Sequence, residues 1–153
     1  MAKTWHALEV VDWLRAYNYA QLKLDDNAEE LTQMKAMKLL YYGQGIALAG
    51  YGFELFSEDL LAFKYGPVVK KVHETFRGLR NIVEIECNGQ ITDAESGIDE
   101  VASKHFDLLS SDYETKTVMM IVMENFGSMS AIDLMKQTHE EAPWLKTKLN
   151  CVI

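Results

Sequence analysis

Lysines and tyrosines interrupt the apolar pattern in two short runs, Lys38-Leu39-Leu40-Tyr41-Tyr42 and Phe63-Lys64-Tyr65-Gly66-Pro67. A third polar cluster, His139-Glu140-Glu141, precedes Pro143-Trp144. Tyrosine supplies rigid apolar area with a hydroxyl, and lysine adds a cation, so Lys38, Tyr42, Lys64 and Tyr65 together have the chemistry of a recognition patch. The competing role is internal: lysine stems lie over the core while tyrosine hydroxyls tie the Gly66-Pro67-Val68 turn in place. Both roles stay open for Tyr42 and Tyr65, and Tyr41 fits the internal one.

His139 with Glu140 and Glu141 invites a metal or acid–base role. The other histidines, His6, His73 and His105, lie on separate predicted elements, and none forms a His-Glu-x-x-His or comparable ligand pair. No metal site is expected. The acidic pair Asp25-Asp26 lacks the glycine and downstream glutamate of a calcium loop. The chain has no Gly-x-Ser-x-Gly elbow, no phosphate loop and no strand ahead of Gly43 and Gly45 to build a dinucleotide site, so neither an enzyme nor a cofactor is expected. A structural role suits the third cluster better. His139 and Glu141 would anchor a loop by hydrogen bonds, Pro143 would open a short helix, and Trp144 would cover the end of the core.

These side chains need elements to hold them. Thr32 can cap a helix over 32–49, in which Met34, Met37, Leu40, Tyr41, Ile46 and Leu48 recur at helical spacing. Eighteen helical residues reach about 27 Å, enough to cross a small domain, so this helix is expected at its centre. Gly43 and Gly45 each cost about 1 kcal/mol against alanine inside a helix, and the close approach of another backbone would offset that. Gly66 permits a sharp turn and Pro67 suits a first helical turn, predicting a helix from Pro67 to about Arg77. Its apolar face would be Val68, Val69, Val72 and Phe76, with Lys70, Lys71 and Glu74 in water.

Elsewhere, a helix is expected from Trp5 to about Tyr19, with Leu8, Val11 and Leu14 inward and at least one of Trp13, Tyr17 and Tyr19 in the core. Alternation over 82–87 followed by Asn88-Gly89 predicts a small hairpin over 82–92, the only sheet anticipated. Helices follow from Asp99 to about Leu109, from 113 to 126 behind an Asp112 cap and ended by Gly127, and from Ser130 to about Thr138. The last residues, after Leu149, are expected to fray. The fold class is therefore mainly α, a compact helical bundle with one peripheral hairpin.

The run Lys38-Leu39-Leu40-Tyr41-Tyr42…Gln44 followed by Lys64-Tyr65-Gly66-Pro67-Val68, with Gly127…Ser130…Leu134 and Thr138-His139…Glu141…Pro143-Trp144 behind it, resembles the Panacea antitoxin domain family, also met as a phage-associated protein family. The resemblance spans about residues 6 to 148 and differs in Phe63, where tryptophan is common. It implies a non-enzymatic helical domain that binds and blocks a cognate toxin protein, with Lys38, Tyr42, Lys64, Tyr65, Gly66, Pro67, His139 and Trp144 as the motif residues. It implies equally a proteolytic adaptor that delivers the toxin to an ATP-dependent protease. A phage structural or regulatory protein without a toxin partner is the reading from a different class.

Composition bounds these readings. With 153 residues, 48% apolar and 25% charged, the chain can bury one ordinary core without a metal or disulfide, so residues 1–153 are expected to form one domain. Two cysteines, Cys87 and Cys151, are too few for a disulfide scaffold and fit a reducing compartment. No apolar run approaches the roughly 20 residues of a membrane span, which points to the cytoplasm and away from a membrane partner. Lys and Arg number 15 against 23 Asp and Glu, a net charge of -8 that repels phosphate backbones, so direct nucleic-acid binding is not expected. The same charge favours a basic toxin, which an acidic inhibitor could cover as a polyanion mimic.

Overall fold

The computed structural model describes residues 3–83 and 100–153. Helix α1 (Ala7–Leu24) is followed by α2 (Gln33–Ile46), which runs into a π-helical turn, Ala47–Tyr51. Next come strands β1 (Leu61–Phe63) and β2 (Gly66–Val68) and the short helix α3 (Lys70–Thr75). Four helices complete the order: α4 (Glu100–Ser111), α5 (Tyr113–Phe126), α6 (Ala131–Glu140) and α7 (Ala142–Leu145). This is the mainly helical bundle that the sequence implied, and the antiparallel hairpin among the described residues, β1–β2, stands where the sequence predicted a turn into a helix. The expected hairpin over 82–92 lies outside the described residues from position 84 onward.

Helix α2 is central for a simple reason. Every residue from Ala36 to Gln44 is buried, polar ones included, so the helix has no wet face along that stretch and must be surrounded. It packs against α1, α5, α6 and β2. Thr32 caps it, accepting from Lys35 N–H at 3.1 Å. Close approach offsets the cost of Gly43, where a Cβ would stand 2.9 Å from Leu55 Cδ2, a side chain rather than the expected backbone. Beside Gly45 there is open space, so that part of the expectation fails.

The other helices form close to where periodicity placed them, α1 running to Leu24, past the expected end near Tyr19. Helix α1 buries Ala7, Val10, Val11, Trp13 and Leu14, each large apolar side chain contributing about 1.5–3 kcal/mol of burial, and it packs chiefly on α4. Trp13 is a core residue, stacked between Tyr17 and Phe106 with its Nε1 donating to Ser110 Oγ at 2.9 Å. Helix α5 has the predicted bounds, an Asp112 cap and Gly127 at its end. Ser130 caps α6 through Asp133 N–H.

The segment after Phe63 departs from expectation. Pro67 does not open a helix; it lies in β2, paired across the hairpin with Ala62, and the helix begins three residues later at Lys70. The reason is in the backbone accounting. Ala62 spends its N–H on Cys151 O (2.9 Å) and its C=O on Asn150 N–H (2.7 Å), so it asks nothing of Pro67, which has no N–H to give. Those same bonds correct the fraying expected after Leu149. Ile153 N–H also reaches Leu60 O at 2.8 Å, and the tail lies along β1 as a further extended partner. Val69, Val72 and Phe76 are buried and Lys70, Lys71 and Glu74 exposed, as the pattern implied.

Several buried polar side chains serve the backbone. Gln44 accepts from Leu55 N–H (2.7 Å) and donates to Phe56 O (2.8 Å), holding an irregular segment against α2 as a neighbouring strand would. Arg15, 3% exposed, donates to Ile82 O and Val83 O and pairs with Asp12, which in turn meets His105 of α4 at 2.6 Å. Gln44→Leu keeps the volume but strands two buried backbone groups, at about 1–3 kcal/mol each. It is therefore expected to lower unfolding free energy by about 3 kcal/mol, read as a drop in denaturation midpoint at unchanged slope.

Candidate functional site

The hairpin, α2, α6 and the turn into α7 meet around Lys38. This lysine is 1% exposed, and its Nζ donates to Pro67 O at 3.2 Å. Burial disfavours the ammonium and brings its pKa down to about 8. Gly66 covers the lysine with a backbone φ of 109°, a conformation open to glycine. A Cβ there would stand 2.8 Å from Lys38 Cε and 3.0 Å from Thr138 Oγ1. Lys38, Gly66 and Pro67 thus form one packed unit, with Thr138 closing it from α6.

A second set of contacts ties the C-terminal cluster to the same unit. Trp144, half-buried on α7, donates from Nε1 to Phe63 O at 2.7 Å and so pins the outer end of β1. His139 stacks on its ring at 3.9 Å. The expected His139 hydrogen bond is not the anchor: its Nε2 is buried with no partner among the described residues, and the stack does the holding. Glu141 does anchor, accepting from the Tyr42 hydroxyl. Tyr42 also lies flat on Phe126 of α5, ring centres 4.0 Å apart. Its hydroxyl therefore ties down the α6–α7 turn rather than the Gly66-Pro67 turn. Burial, with Glu141 adding to it, pushes Tyr41 up to about 12 and Tyr42 higher still.

The eight motif residues accordingly divide. Lys38, Tyr42, Gly66 and Pro67 are buried and His139 and Trp144 half-buried, whereas Lys64 and Tyr65 form the exposed two-residue tip of the hairpin, the ammonium 5.4 Å from the Tyr65 ring centre. Beside that tip opens a cleft of about 620 Å³, with Lys38 at its lining and the starts of α2 and α6 among its walls. Sequence reasoning missed Arg80, Met34, Met37 and Ile132 as parts of this cleft, because Arg80, the start of α2 and the start of α6 lie far apart in the chain and no local pattern joins the three. Among the described residues no group of three or more His, Cys, Asp or Glu is placed to hold a metal ion.

Fold and site together define a mainly helical domain organised round a buried lysine, with an open cleft at one hairpin. The chain belongs to the SocA-like antitoxin family: the model of its Panacea domain matches residues 37–145, from the lysine helix to Leu145. Helix α1 lies outside that match. Membership implies an antitoxin-like role and a cognate toxin as partner. No curated protein and no solved structure matches the chain significantly.

Two outcomes follow from this packing. Gly66→Ala forces a side chain into the Lys38 contact at an unfavourable φ and is expected to cost about 2–4 kcal/mol, whereas Tyr65→Ala at the exposed tip should stay within about 0.5 kcal/mol of the parent by chemical denaturation. Lys38 also sets a pH dependence. Its folded pKa of about 8 lies below the ordinary value of 10.5, so the unfolded chain holds the proton more tightly between those values. Protonation then penalises the fold below about pH 8, and stability rises as pH climbs from 8 toward 10. The rise should be absent in Lys38→Met, with the difference between the two proteins changing by about 1–2 kcal/mol between pH 7.5 and 9.5. A parallel dependence in both would exclude Lys38 as its source.

Proposed function

We propose that this protein is the antitoxin of a toxin–antitoxin pair and neutralises its toxin by direct binding. The observation that carries the reading is the match of an antitoxin family model to residues 37–145, which encloses the exposed Lys64-Tyr65 tip and most of the cleft beside it. The motif residues support a division of labour. The six that pack inward build a rigid platform, and rigid platforms lose little conformational entropy when a partner docks. Lys64 and Tyr65 are left to make the contact.

The site residues, the single domain over residues 1–153 and the action in the cytoplasm belong to the same proposal. No single helix among the described residues is long and apolar enough to cross a membrane, which agrees with it. The protease-adaptor reading requires a second surface for the protease.

The test is a growth assay in which each reading frame flanking the gene is induced with and without this chain, in a normal host and in one lacking its major ATP-dependent proteases. Rescue in both hosts is the expected result. Rescue confined to the protease-proficient host would replace direct binding with the adaptor mechanism, and a toxic neighbour never relieved would sink the antitoxin reading.

A further inference from the structure

The cleft beside the hairpin has a charge that runs against the chain as a whole. The protein carries a net charge of -8, yet among the described residues every charged side chain lining the cleft is basic: Lys38, Lys64 and Arg80. No ion pair to a carboxylate occupies Lys64 or Arg80 among the described residues. Lys38 has three N–H donors, and Pro67 O takes one of them. Between these cations the surface is apolar. Met34 and Met37 line it, and Ile132 and Leu79 are 58% and 44% exposed there. Exposed apolar side chains gathered in a concave site are the mark of a binding surface, since water against them is released on contact.

We propose that this cleft is the surface by which the antitoxin docks its toxin, and that it receives an acidic, apolar segment of that protein. Carboxylates of the segment pair with Lys64 and Arg80, and an apolar side chain between them lies over Met34, Met37 and Ile132. The inference rests on the antitoxin reading and sharpens it. Net charge alone favours a basic partner, but the field at the contact is set by the nearest groups, because screening at physiological salt removes charges beyond about 8 Å. Methionine suits the role, being flexible enough to fit an irregular apolar side chain. A volume of about 620 Å³ accommodates a few side chains, so the segment is short.

Methyl resonances of Met34 and Met37 report on the cleft directly. The purified full chain, labelled at methionine methyls, is titrated with the peptide acetyl-Glu-Leu-Glu-Phe-Glu-Leu-amide and with its counterpart carrying glutamine for glutamate. Shifts centred on Met34 and Met37, at least tenfold weaker with the glutamine peptide and lost in Lys64→Glu/Arg80→Glu, are the expected result. No shift at those methyls, or equal shifts with both peptides, overturns the proposal. In the growth assay, Lys64→Glu/Arg80→Glu should lose rescue at least tenfold by survivor count, with its melting temperature retained. Lys70→Glu/Lys71→Glu, which adds the same charge outside the cleft, should keep it. Full rescue by the cleft variant overturns this docking surface and leaves the antitoxin reading standing. If the wild-type chain rescues no neighbour, the antitoxin reading fails, and the methyl titration still decides whether the cleft takes acidic apolar segments.

Discussion

A lysine ammonium held away from water under a single proline carbonyl sets the terms for the rest of this structure. Charged groups are costly to bury unless bonded, and Lys38 lies in a stretch of α2 where every residue from Ala36 to Gln44 is buried. Enclosing it requires a backbone that can lie directly on the side chain, which Gly66 provides, and an oxygen at the right depth, which Pro67 provides. The hairpin is therefore seated by the helix beneath it. Three residues of strand on either side of a short turn would have little independent stability.

The hairpin is held from outside as well. Trp144 bonds to Phe63 O, the chain terminus pairs with β1, and His139 braces the Trp144 ring. Tyr42 links the same turn back to α2 through Glu141 and stacks on α5. Helix, hairpin and C-terminal turn are thus mutually supporting, and a tip carrying Lys64 and Tyr65 can project without being loose at its base. His139 lies flat on the Trp144 ring, its Nε2 buried and without a partner among the described residues.

Most helices were readable from the chain because their signals are local. Thr32, Asp112 and Ser130 each cap within three residues, and apolar spacing identified the inward faces of α1 and α5. Pro67 was misread because its local preference for a helix start is sound, while the deciding fact is that Ala62 gives its hydrogen bonds to residues 150 and 151, nearly ninety positions away. The terminal residues were misread for the same reason. Gln44 and Arg15 escaped notice as structural polar groups because the backbone atoms they satisfy are remote in sequence.

Residue types and local spacing thus sufficed for the helical class and the family. They could not say which of the motif residues pack into the fold and which are left exposed. Six of the eight motif residues are buried or half-buried and two are exposed, and that division arises from long-range packing, in which a lysine is buried or exposed according to what lies above it. The basic cleft in an acidic protein has the same origin: composition sums charge over the whole chain, whereas folding gathers Lys38, Lys64 and Arg80 into one place.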